Sequence, residues 1–317
     1  MPIDRRTSPD SVAVTPKAIK WVETTPSRLS QFVSTVGLLW YNVLLVLILL
    51  VSTAIIMPAS LIISPTALGR VCRNVFLATA RLQLSLSPHV SVRTDAKSID
   101  YSALGSSGRP VMLLVNHNSF FDFFALLALV PWSICARARM LVSSGLYKLP
   151  LFGRVVQAGE AIPVFFKIHD EQKKAEAVVN TADFEVAKDK AHITAGLMAK
   201  QLSSGNILML FPEGRLNPQA GGNIQPFRFG AFEVAREHDV ELWGLCMTGC
   251  ERVWPSTAAC GGHPATVVGR LFPIAPRGAR ALCEAFPIGA STDKTPTQVL
   301  ADFARAEFQR TLDDLRE

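Results

Sequence analysis

His117 and Asp122 stand five positions apart in the segment Asn116-His117-Asn118-Ser119-Phe120-Phe121-Asp122. A carboxylate that accepts from one ring nitrogen of an imidazole leaves the other nitrogen basic, and such a pair deprotonates a hydroxyl at neutral pH. The pair follows Val111-Met112-Leu113-Leu114-Val115, a short apolar run after Gly108-Arg109-Pro110, which is the pattern of a buried strand. A His leaving the end of a buried strand is where α/β proteins tend to place reacting groups. His and Asp also recur at this separation by chance, so the pair gains weight only from a second segment.

That segment is Ile207-Leu208-Met209-Leu210-Phe211-Pro212-Glu213-Gly214-Arg215, again an apolar strand ending in a turn, here with a carboxylate and a guanidinium. In this order the two segments resemble the glycerolipid acyltransferase family of the 1-acylglycerol-3-phosphate (lysophosphatidate) acyltransferase type, whose motifs are His-x4-Asp and, later, Phe-Pro-Glu-Gly. The resemblance covers Leu38 to Pro273, and its second motif is the more specific. It implies His117 as general base, with Asp122 orienting the ring, and places Glu213, Gly214 and Arg215 against the acceptor. Guanidinium suits a phosphate because it binds two oxygens at once, and Gly214 allows the sharp turn. Phe227-Arg228-Phe229-Gly230-Ala231-Phe232 is similar to the family's basic-x-Gly-Ala segment, which makes Arg228 a second phosphate candidate.

One motif departs from the family. In Gly159-Glu160-Ala161-Ile162-Pro163-Val164-Phe165-Phe166-Lys167 an Arg is expected where Phe166 stands. Lys167 points to the opposite side if the strand continues, so it can substitute as a phosphate ligand only at a bulge or a strand end. The departure leaves room for an acceptor with a larger headgroup than lysophosphatidate.

With no Gly-x-Ser-x-Gly elbow in the sequence, a Ser nucleophile has little support. The acceptor hydroxyl is then expected to attack directly, the donor to be a thioester such as acyl-CoA, and backbone N–H groups after His117 to meet the oxyanion. No cofactor and no metal are required; acyl-CoA is a co-substrate. The expected activity is O-acyl transfer to 1-acyl-glycerol-3-phosphate, giving phosphatidate, with glycerol-3-phosphate or another lysophospholipid as alternatives. A lipid-binding protein that has lost turnover is the rival of another class, and a CoA-independent transacylase differs only in donor.

The 317 residues are 49% hydrophobic and 18% charged, with mean hydropathy +0.26, too apolar for an ordinary soluble enzyme. The excess is local: no charged residue stands between Arg28 and Arg70. Gly37 to Met57 suffices for one bilayer crossing of about 20 residues, as a single span or as a re-entrant hairpin broken at Pro58 and Pro65. Basic residues on both flanks, Arg5, Arg6, Lys17, Lys20 and Arg28 before it and Arg70, Arg73, Arg81 and Arg93 after it, favour two ends on one cytoplasmic face. With no export signal before the run, the endoplasmic reticulum is the expected membrane if the source is eukaryotic. The net charge of +6 suits an anionic bilayer and anionic substrates, while the lack of a basic stripe interleaved with aromatics argues against nucleic acid. The oligomeric state is left open.

The expected organisation is a polar tail (1–28), a membrane anchor with an interfacial amphipathic stretch (29–89), and a catalytic domain (90–317). Strand-like runs at Val111–Val115, Ala136–Leu141, Ile162–Phe166, Ile207–Phe211, Glu241–Met247 and Ala265–Leu271 alternate with helical ones at Phe120–Val130, Thr181–Leu202, Phe229–Arg236 and Thr295 to the end. This predicts an α/β fold with a mixed, mostly parallel sheet covered by helices. Cys246, Cys250, Cys260 and His263 have zinc-type ligands without the spacing of a standard finger. His89, His169, His192 and His238 read as surface or capping groups, and Lys173, Lys174, Lys188 and Lys190 as a solvated basic face.

Overall fold

The computed structural model describes residues 28–149, 152–167, 186–219, 221–285 and 294–317. The polar tail, His169, Lys173, Lys174 and the start of the helix expected from Thr181 lie outside the described residues. Seven strands form one sheet: β1 (Val90–Thr94), β2 (Val111–Val115), β3 (Ala138–Ser143), β4 (Ile162–Val164), β5 (Ile207–Leu210), β6 (Glu241–Thr248) and β7 (Ala265–Ala275). Their order is β1-β7-β6-β2-β5-β3-β4. Every neighbouring pair is parallel except β6 with β7, so the sheet is mixed and mostly parallel.

The central strands are continuous apolar runs because both of their faces are covered. On one face Met112, Leu114, Leu208 and Leu210 pack with α6 (Ala191–Ser203), α7 (Gly230–Glu237) and α10 (Pro296–Arg316). On the other, Val111, Leu113, Val115, Ile207 and Met209 meet α2 (Pro65–Ser85), α3 (Asp122–Leu129) and α4 (Trp132–Arg137). Short helices α5 (Phe152–Ala158), α8 (Cys250–Val253) and α9 (Ala279–Ala285) complete the layers.

The apolar segment is α1 (Arg28–Ile62), and it continues through Pro58. The break falls at Ser64, whose hydroxyl caps α2 by accepting from Ala67 N. Loss of one N–H at Pro58 thus kept the helix intact, whereas Pro65 occupies the first turn, where no partner is needed. The two helices are antiparallel: Ser52 reaches Thr79, Tyr41 O accepts from Gln83, and Trp40 donates to Leu86 O. Gly37, Tyr41, Leu44, Ser52 and Ile56 form the buried stripe of α1, while Leu39, Val43, Val46, Leu47, Leu50 and Val51 face outward.

The segment of α2 was expected to be an amphipathic stretch in the interface, and in the structure two of its basic residues turn inward. Arg73 bonds Ala136 O, Gly159 O and Glu160, and Arg81 bonds Leu127 O and Val130 O. The guanidiniums satisfy carbonyls at the ends of α3 and α4, so they fasten the hairpin to the domain. Asn42 does the same from α1, donating to Gly261 O at 2.8 Å.

Other boundaries moved for local reasons. Strand β4 ends at Val164, and Phe166 makes only an isolated bridge to Val186. The edge strand β1 was not expected, because Ser91 and Arg93 give it no apolar run. Strand β7 continues to Ala275 past Pro273, which pairs with Trp243 beside a bulge at Ile274 of β7.

Candidate active site

The two motifs meet because β2 and β5 are adjacent and parallel, with Leu114 opposite Leu210. His117 and Glu213 each lie three residues beyond that pair, at the carboxyl ends of the strands. Asn116 holds the end of β2 to β6: its amide donates to Met247 O at 2.8 Å and accepts from Met247 N at 2.7 Å.

Asp122 opens α3 and is fully buried. Its Oδ2 accepts from Asn118 N at 2.6 Å, Ser119 N at 2.8 Å and His117 Nδ1 at 3.0 Å. Two backbone donors at the helix start face this carboxyl oxygen. With Nδ1–H donating to Asp122, the lone pair of His117 is on Nε2. The ring stacks on Phe211 at 4.0 Å between centroids and stays partly open to the cleft.

Two of the amides that follow His117 are already engaged. Asn118 N and Ser119 N serve Asp122, and His117 N donates to Glu213 Oε1 at 2.8 Å. Three successive amides thus orient carboxylates.

Glu213 is buried, and its second oxygen accepts from Gln225 N at 3.0 Å. Burial pushes its carboxyl up to about 7, against the pull of the two amides, while Asp122 raises it further and Arg215 lowers it. Gly214 has φ 66°. A Cβ there would strike the side chain of Arg228, so the glycine serves both the turn and the close approach. Arg215 bonds Gln225 Oε1 at 3.3 Å, and the half-buried Arg228 guanidinium lies 5.8 Å from the centroid of Phe166. Burial, and then the charge of Arg215, lower the pKa of Arg228. Two guanidiniums that repel one another in a cleft favour an anion beside them.

The cleft has a volume of about 1310 Å³ and passes over the strand ends to both faces of the sheet. Successive residues Met209 and Leu210 both line it although they point to opposite faces. His117, Glu213, Gly214, Arg215, Arg228 and Phe166 all line it. Lys167 is not among the described residues that line it. Gln225 was missed in the sequence, because nothing marks a lone amide, and Phe211 stood in the Phe-Pro-Glu-Gly motif without a role of its own.

Cys246 and Cys250 are buried in the core, Cys260 is exposed, and His263 faces Ser34 at 3.3 Å. Among the described residues no group of three His, Cys, Asp or Glu side chains is placed to hold a metal. His192 lines the cleft, His238 ends α7, and His89 packs against Gly37 rather than lying on the surface.

A strand-end imidazole held by a buried carboxylate, open to an apolar cleft with guanidiniums beside it, can take a proton from a hydroxyl bound in that cleft. The model of the acyltransferase family matches residues 94–248 of this chain. The 1-acyl-sn-glycerol-3-phosphate acyltransferase BAT2, chloroplastic, of Brassica napus is 22% identical over 177 residues, which are 56% of this chain and 43% of that protein. The match therefore spans less than half of the Brassica protein. The crystal structure of the 1-acyl-sn-glycerophosphate (LPA) acyltransferase PlsC from Thermotoga maritima superposes with a TM-score of 0.60 at 13% identity, over 90% of this chain and 98% of that one. That likeness is one of fold.

Proposed function

We propose that the protein transfers a fatty acyl group from acyl-CoA to the free hydroxyl of a lysoglycerolipid, with 1-acyl-glycerol-3-phosphate as acceptor and phosphatidate as product. The observation that carries this reading is the His117–Asp122 pair on the wall of a cleft that holds both apolar surface and two guanidiniums. The acceptor oxygen attacks the thioester carbonyl while His117 Nε2 takes its proton, and Asp122 stabilises the imidazolium. The C–S bond then breaks, and the departing thiolate takes the proton from His117. Arg215 and Arg228 bind the acceptor phosphate. Glu213 acts through the backbone, tying the His117 turn to the loop at Gln225.

A second acceptor class is favoured by one observation: Phe166, rather than a cation, stands 5.8 Å from the Arg228 guanidinium on the cleft lining. An acceptor with a larger headgroup would lie against that ring.

The chain works at a membrane in this reading. Helix α1 contains one stretch, Ser34–Ala59, long and apolar enough to cross a bilayer. The antiparallel return of α2 and the ties of Asn42, Arg73 and Arg81 to the domain support a hairpin whose ends lie on one face, the cytoplasmic one.

The test is acyl transfer by membranes carrying the wild type or His117→Ala, given labelled acyl-CoA and a panel of lysophosphatidate, glycerol-3-phosphate and larger-headgroup lysophospholipids. Label entering one acceptor only with the wild type is the expected result and names that acceptor. Equal label in both forms, or none in either, would overturn the reading.

A further inference from the structure

The wall of the cleft under α2 and α3 is thin. Phe76 and Phe124 line the cleft, and the same two side chains line a second cavity of about 160 Å³. Leu45, Ile48 and Leu49 of α1 and Thr79 and Ala80 of α2 bound its far side. Thr79 is the one polar residue there, and its hydroxyl is turned back to Val75 O at 2.8 Å. The cavity is therefore an apolar space that water has little reason to fill. On α1 its walls alternate with the outward-facing Val46, Leu47 and Leu50. Only one helix and two phenyl rings separate the outer apolar surface of the hairpin from the cleft of His117.

The rings are held by other rings. Phe76 lies 5.3 Å from Phe123, and Phe124 lies 6.1 Å from Phe121 and 6.4 Å from Tyr41. Both are half-buried. Neither can form a hydrogen bond through its side chain, so turning either about χ1 exchanges one apolar contact for another.

We propose that Phe76 and Phe124 are a movable partition, and that the cavity behind them is a subsite for the acyl chain of the lipid acceptor, entered from the hairpin side. The proposal rests on the lysoglycerolipid reading above. The acceptor is favoured over the donor by position. The cavity adjoins the outward apolar face of α1, where a bilayer lipid keeps its chain, whereas the donor carries a water-soluble nucleotide end. A chain resting against α1 reaches His117 by crossing the partition, without leaving apolar surroundings.

The experiment uses the full chain in phospholipid vesicles, with two 1-acyl-glycerol-3-phosphates, one with a long bilayer-resident chain and one with a short water-soluble chain. Ala80→Phe fills the cavity. It is expected to lower the long-to-short ratio of kcat/KM by about tenfold, the scale on which an apolar pocket discriminates. Should Ala80→Phe not fold, Phe124→Leu thins the partition and is expected to raise the same ratio. An unchanged ratio in a folded variant overturns the proposal, as does a shift in donor chain-length preference with the acceptor ratio constant. A wild type that acylates neither acceptor would instead overturn the lysoglycerolipid reading, so the two failures are distinct.

Discussion

The backbone N–H of His117 donates to Glu213 Oε1 at 2.8 Å, across the seam between two strands whose sequence positions are far apart. The glutamate that follows β5 thereby sets the turn that follows β2. Its other oxygen holds Gln225, whose side chain in turn meets Arg215. One buried carboxyl links the proton-accepting ring to the loop that carries a phosphate-binding candidate.

Glu213 should make stability depend on pH. Its folded value of about 7 lies above the ordinary carboxylate range, so the native state holds this proton more tightly than the unfolded state does. Stability from this group is greatest at low pH and is lost as pH rises from about 4.5 through about 7, by an order-of-magnitude 3 kcal/mol. Glu213→Gln removes that titration. Thermal melts of both forms across this range should show the wild type losing its relative advantage as pH rises; parallel curves would contradict the assignment.

Asp122→Asn should leave the fold but cripple the base. The amide can turn only one face to His117 Nδ1 and the two backbone donors, so the tautomer that frees Nε2 is no longer favoured. A fall in kcat of about 10³-fold or more is expected, as in related dyads with a misoriented imidazole. Retention of near-normal kcat in single-turnover assays would show that Asp122 does not orient the ring.

Gly214→Ala should damage stability and acceptor binding together. The residue has φ 66°, and the new methyl group meets Arg228. The conformational cost alone is about 1 kcal/mol. Displacement of Arg228 should raise KM for a phosphate-bearing acceptor more than it lowers kcat. Equal effects on phosphate-bearing and phosphate-free acceptors would separate Arg228 from phosphate recognition.

Tyr41 makes the opposite kind of prediction. It is fully buried among Phe121, Phe124 and Trp254, and its hydroxyl has no hydrogen-bond partner among the described residues. Tyr41→Phe removes an unsatisfied polar group and keeps the ring, so the melting temperature should hold or rise, by up to about 1–3 kcal/mol in stability. A clear loss of stability would mean that the hydroxyl is bonded.

Much of this was legible in the chain. Continuous apolar runs marked β2 and β5 because a strand covered on both faces has no polar side to show. The turn residues that end those runs announced the chemistry, since His117, Asp122, Glu213, Gly214 and Arg215 are types a buried strand end would not otherwise carry. Their roles were less visible: Glu213 reads as a ligand in sequence, yet in the fold its oxygens face two amides.

Local pattern by itself determined the α/β class, the apolar N-terminal segment and the residue types at the two strand-end turns, because periodicity, charge gaps and turn chemistry are properties of neighbouring residues. Only the tertiary structure decided which donors each carboxylate receives, that Arg73 and Arg81 fasten the hairpin inward, and that Phe76 and Phe124 stand between two cavities. Those outcomes depend on strand register and on helices packing across gaps that no local pattern encodes.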